Sequence, residues 1–140
     1  MTPTLGQSVG PMERNAAVKV WHVDGFTLGA NPSPHGGGFT VIGPAGQLVV
    51  SHTLYRPMTN NEAELLALAF AVWKASPQDV IYTDSQTAFY WTRSGVCASR
   101  PDLTTIARKT KHSIRTKALT VTVIPREQNL AGHYNEQHAH

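Results

Sequence analysis

TNNEAELLALAFAVWKASPQDVIYTDSQ, residues 59–86, changes its apolar period partway along. Leu65, Leu68, Ala69 and Val72 recur at the intervals that gather side chains into one stripe of a helix. Thr59 followed by Glu62 is a capping box, in which the hydroxyl accepts from the amide of the third helical residue while the carboxylate reaches back to the amide of the cap. The spacing predicts a helix from Asn60 to Ala75, closed by Pro77. Asp79 to Thr83 is then a short strand delivering Asp84 at its carboxyl end, and Ser85 opens a second helix. A sheet ligand in an α/β layer sits at that end of a strand.

Outward from this segment the pattern holds. On its amino side Val18, Val20, His22 and Asp24 alternate with Lys19, Trp21 and Val23, a strand that stops at the turn-rich GANPSPHGGG of residues 29–38. GFTVIG and QLVVSHTLY follow as two more strands, joined by the Gly and Pro of GPAGQ. On the carboxyl side SQTAFYWTRSG is a helix stopped by Gly95, and Pro101 to Lys117 is a basic helix entered at a first-turn proline. Ala118 to Ile124 is a β-branched strand, and Pro125 breaks it before a short helix from about Gln128. The order is β-β-β-α-β-α-α-β-α, an α/β fold with a five-stranded mixed sheet flanked by helices. Residues 1–16 lack periodicity and read as a flexible tail, leaving 17–140 as a single domain.

With 41% hydrophobic and 15% charged residues in 140, the chain can bury one core, which excludes disordered, collagen-like and coiled-coil classes. No apolar run approaches the roughly 20 residues that cross a bilayer, and the amino terminus carries no apolar block of the signal-peptide kind. The single cysteine, Cys97, excludes an internal disulfide and fits a reducing, cytoplasmic compartment as an inert, half-buried thiol. The net charge of +3 is unevenly divided: residues 1–87 carry four cations and six anions, residues 88–140 eight and three. That basic second half suits a polyanionic partner or a solvated helix face.

Three acids stand where elements begin or end. Asp24 lies in the first strand on the face of His22, Glu64 in the first turn of the capped helix, and Asp84 at a strand terminus. Each has a local alternative, turn former for Asp24 and helix cap for Asp84, whereas capping accounts for Glu62 and nothing local accounts for Glu64. Taken together they form a cluster that repels itself unless a hard divalent ion neutralises it. Mg2+ suits an oxygen-only, water-retaining site, and two ions about 3.5 to 4 Å apart serve an in-line phosphodiester displacement.

Four pieces in order, VDGFTLGANPSPHGGG, TNNEAELLAL, IYTDSQ and VIPREQN, resemble ribonuclease H of the type 1 class over residues 18 to about 136. The resemblance implies the ribonuclease H-like fold and a monomeric endonuclease that cuts the RNA strand of an RNA/DNA hybrid with two Mg2+ or Mn2+ ions, leaving 3′-hydroxyl and 5′-phosphate ends. It makes Asp24, Glu64 and Asp84 the catalytic metal ligands, and Gly25, Asn31, Thr59, Asn60, Asn61 and Gln86 substrate contacts. Short amides can answer a 2′-hydroxyl that both donates and accepts.

The family's fourth acid is absent from PREQNLAGHYNE, where His133 takes its place. Three readings follow: His133 ligates a metal and shifts preference toward Mn2+, Glu136 supplies the oxygen instead, or His133 moves a proton near the leaving group. The alternative function is a hybrid-binding module whose catalysis is weakened or lost. Some members grip the DNA strand with an extra basic helix near Gly95 to Pro101; here the cations of residues 108–117 substitute in part. Trp91 is either a core residue or a surface for a sugar.

Overall fold

The computed structural model describes residues 18–138. The tail expected over residues 1–16 lies outside them, as does His140. The elements are β1 (Val20–Thr27), β2 (Gly37–Ile42), β3 (Leu48–Leu54), α1 (Asn60–Lys74), β4 (Val80–Thr83), α2 (Gln86–Ser94), α3 (Thr104–Thr116), β5 (Thr120–Val123) and α4 (Leu130–Gln137), with single 3-10 turns at Pro101–Leu103 and Arg126–Gln128. They form one sheet in the order β3-β2-β1-β4-β5. β1, β2 and β3 are antiparallel neighbours, and β1 is parallel to β4, as β4 is to β5. This is the mixed five-stranded architecture flanked by helices that the sequence predicts.

Several boundaries moved. β1 begins at Val20 rather than Val18. Pro101 opens a 3-10 turn, closed by Leu103 N–H on the Arg100 carbonyl, and the basic helix proper starts at Thr104. The last helix starts at Leu130, because Asn129 takes an extended backbone and its side chain accepts from the Ala131 amide at 3.1 Å. The capping box formed by half. Thr59 Oγ1 accepts from Glu62 N–H at 3.1 Å, yet the Glu62 carboxylate turns away to Arg56 at 2.6 Å and Arg100 at 3.1 Å, two full charges outcompeting one amide. Gly95 ends α2 as predicted, at φ 77°.

Side chains alternate across the sheet, so one strand serves two faces. Val23 pairs with Val41, both fully buried, in a core shared with Ala67, Leu68 and Val72 of α1. The next pair, Asp24 and Thr40, is also fully buried but meets Asn135 of α4. α1 thus covers the apolar face and α4 the polar one. A second cluster of Leu65, Trp91, Cys97, Leu103 and Ala107 packs α2 and α3 against α1. Trp91 is therefore a core residue, and Cys97 is fully buried rather than half-buried, with burial pushing its thiol up from the ordinary value.

Lys117 closes α1 from a distance. Its ammonium donates to the Val72, Trp73 and Ala75 carbonyls, each at 2.9 Å, where the helix dipole favours a cation. It is committed there, while Arg108, Lys109 and Arg115 of α3 are exposed. No helix among the described residues is long and apolar enough to cross a membrane.

Candidate active site

Three elements converge because Gly25 lets them. A Cβ built on Gly25 would lie 2.4 Å from the Ala63 carbonyl carbon and from the Glu64 nitrogen, so only glycine allows β1 and the first turn of α1 to approach this closely. Gly25 N–H then donates to Glu64 Oε1 at 2.7 Å, a tertiary contact that accounts for Glu64 where nothing local did. β4 runs parallel to β1 with His22 opposite Tyr82, and two residues further on Asp84 arrives beside Asp24. Ser85, rather than Asp84, caps α2, its hydroxyl accepting from Ala88 N–H at 3.0 Å. Asp84 is left to face the cavity.

One oxygen from each of Asp24, Glu64 and Asp84 lies within 4.8 Å of the others. They open into a cavity of about 550 Å³ whose walls carry Asn60, Asn61, Gln86, Arg126, Asn135 and Glu136. The electrostatics are strained. Burial pushes the Asp24 carboxyl up to about 6, with the Asp84 charge adding to it, while bonds from Asn135 and Arg126 pull the other way. Glu64 is pushed well above the usual carboxylate range, first by burial and then by Asp24 and Asp84, against the Gly25 amide. Arg126 rises because the charges of Asp24 and Asp84 outweigh its own burial. Two buried carboxylates and a third, partly buried one that together offer only oxygen to an open cavity fit a hard divalent cation. Asp24, Glu64 and Asp84 are the residues that would hold one.

The model of the RNase H family matches residues 16–135. The chain belongs to the RNase H family. As a ribonuclease H it is a hydrolase, and the family implies a divalent metal. Among solved structures, RNase H1 from the halophilic archaeon Halobacterium salinarum NRC-1 is similar at 22% identity, covering 84% of this chain and 93% of its own, with a TM-score of 0.63. The N-terminal RNase H domain of a Mycobacterium tuberculosis protein, fused to maltose binding protein, is similar at 22% over 82% and 92%, with a TM-score of 0.61. LC11-RNase H1 in complex with an RNA/DNA hybrid is similar at 25% over 79% and 87%, with a TM-score of 0.54. No curated protein matches the chain.

In this RNase H the expected substrate contacts separate into two groups. Gly25, Asn60, Asn61 and Gln86 line the carboxylate cavity. Asn31 stands at its edge, Oδ1 accepting from Asn60 N–H at 2.9 Å. Thr59 faces a neighbouring groove of about 400 Å³ with Pro32, Met58 and Arg100, the guanidinium 3.3 Å from its hydroxyl. Arg100 is held there by Asp102 at 2.8 Å and Glu62 at 3.1 Å.

His133 is not brought to the carboxylates. Among the described residues the cluster holds three members, and His133 neither joins them nor lines the cavity. Its charge acts on His22, which burial first and His133 second hold below the ordinary histidine value. Helical phase explains this: with α4 starting at Leu130, its buried face falls on Ala131, Gly132 and Asn135. Asn135 stands against Asp24, Nδ2 donating to Asp24 Oδ2 at 2.9 Å while Oδ1 accepts from the Thr40 hydroxyl at 2.6 Å. Glu136 does line the cavity, 3.6 Å from Arg126 Nε. Arg126, Asn129, whose Nδ2 donates to Asp84 Oδ2 at 2.9 Å, and Asn135 escaped the sequence reading. The signal for Asn135 was an amide in phase with Ala131 on the apolar face of a short helix.

Proposed function

We propose that this RNase H is an endonuclease that hydrolyses the RNA strand of RNA/DNA hybrids with two Mg2+ or Mn2+ ions, leaving 3′-hydroxyl and 5′-phosphate ends. One observation carries the proposal: three carboxylates converge within 4.8 Å on a cavity whose walls carry the amides of Asn60, Asn61 and Gln86. The hybrid bound by LC11-RNase H1 supports the choice of substrate.

Asp24, Glu64 and Asp84 hold the ions, which when bound supply an activated water and neutralise charge at the scissile phosphate. The chain's own residues set the frame. Gly25 N–H fixes one Glu64 oxygen, and Asn135 fixes one Asp24 oxygen, so the cluster enters the reaction already oriented. Asn60, Asn61 and Gln86 read the 2′-hydroxyls that separate RNA from DNA. Thr59 and Arg100 meet a phosphate of the DNA strand, and the exposed cations of α3 hold the backbone beyond it. The single cysteine, Cys97, fits a reducing, cytoplasmic setting, and we take the working unit to be the monomer.

The test is cleavage of end-labelled hybrid, double-stranded RNA and double-stranded DNA, each with Mg2+ and with Mn2+, by the native chain and by Asp84→Asn. Hybrid alone should be cut in the RNA strand, and Asp84→Asn should lose at least about a hundredfold while keeping its circular dichroism. Near-native cutting by that variant would overturn the assignment. Hybrid binding without cutting by the native chain would make it a binding module.

A further inference from the structure

We propose that Arg126 is a built-in counter-cation of the carboxylate cluster, displaced by an incoming divalent ion and thereby released to engage a substrate phosphate. The inference rests on the metal-dependent reading above and deepens it. Arg126 Nη1 stands 3.3 Å from both Asp24 Oδ1 and Asp84 Oδ2, and Nε stands 3.6 Å from Glu136 Oε2. These are long for charge-assisted contacts, which settle near 2.7 to 2.9 Å. The Arg126 side chain is 50% exposed, whereas that of Asp24 is 0% exposed. A fully buried anion thus leans on a cation that solvent and a competitor can reach.

The competitor would need the same atom. Asp24 Oδ2 is committed to Asn135, whose amide is held in one orientation by the Thr40 hydroxyl. Oδ1, the oxygen Arg126 meets, is the one left for an ion. A guanidinium and a divalent cation cannot both sit on that oxygen without like-charge repulsion, so occupation by one expels the other. Glu136, on the next helix and 61% exposed, gives the released guanidinium a holding point at the cavity wall. There its planar fork suits a phosphate far better than a point charge would. Metal loading and polyanion binding are coupled through this one side chain, and each favours the other.

Mn2+ binding by titration calorimetry, without nucleic acid and near neutral pH, tests the displacement in the native chain, R126K, R126Q and, as a control, D24N. R126Q should bind Mn2+ about fivefold more tightly than the native chain, with R126K between them, while melting in EDTA falls in the opposite order. Short double-stranded DNA, which supplies phosphates and is not cut, should tighten Mn2+ binding by the native chain and not by R126Q. Equal or weaker Mn2+ binding by both Arg126 variants, with the native chain binding and D24N not, would overturn the counter-cation and leave the metal site standing. No Mn2+ binding by any form would overturn both.

Discussion

Replacing Asp24 with asparagine should stabilise the metal-free protein near neutral pH while abolishing cleavage. The Asp24 side chain is fully buried, and its carboxyl titrates at about 6 in the folded chain against 3.8 ordinarily. The sign follows from linkage. Below pH 3.8 the acid is protonated in both states and the substitution changes little. As pH rises through the interval the unfolded chain ionises first, so the raised carboxyl drains stability until the folded form ionises too. Above about 6 the loss levels off, and 1.36 kcal/mol per pKa unit puts it at about 3 kcal/mol. Asparagine keeps the bond to Asn135 Nδ2 through its own oxygen and turns its amide toward Asp84, so the shape survives. Arg126 loses a partner, which returns a fraction and leaves about 2 kcal/mol. For a domain of this size that is a Tm higher by about 6 to 8 °C. Thermal melts in EDTA from about pH 3.5 to 8 should show the native and Asp24→Asn curves together in acid and apart near pH 8. Added Mn2+ should raise the native Tm and leave the variant unmoved. A native chain more stable than Asp24→Asn in EDTA near pH 8 would refute the reasoning.

Gly25→Ala forces a methyl to 2.4 Å from α1 backbone, so β1 and α1 must separate; cleavage should fall by at least about a hundredfold, checked on labelled hybrid, with a lowered Tm. Asn135→Leu strands Asp24 Oδ2 inside the fold, while the Thr40 hydroxyl keeps Ser51 at 3.1 Å, a loss of about 2 kcal/mol in denaturant titration and about tenfold in Mn2+ affinity. His133→Ala, outside the cluster, should leave Mn2+-supported cleavage within about threefold of native, read from initial rates. Lys117→Met removes three contacts to the end of α1 and should cost about 1 to 2 kcal/mol by thermal melt, with hybrid binding unchanged.

The late segment shows where sequence reading stopped. Counting from Asn129 toward an expected acid reaches His133, and that count carries no information on which side chains α4 buries against the sheet. α4 starts at Leu130 after the Asn129 cap and buries Ala131, Gly132 and Asn135, and from that face Asn135 meets Asp24. Glu62 misled for a similar reason, its capping role being local and its true partners, Arg56 and Arg100, arriving from other segments. Lys117 looked like one more phosphate-binding cation until the end of α1 claimed it.

What the sequence determined by itself is local: apolar period, the cap at Thr59, the stop at Gly95, and the order of elements that carries Asp24, Glu64 and Asp84 to strand and helix ends. These depend on residues a few positions apart, whose geometry is set by backbone sterics and nearest-turn hydrogen bonds. What completes the cluster depended on contacts across 102 residues from Arg126 to Asp24 and 111 from Asn135 to Asp24. Only the packed sheet and α4 decide those, because a buried carboxylate takes its partner from whichever polar side chain the helix phase presents, not from the one a sequence pattern anticipates.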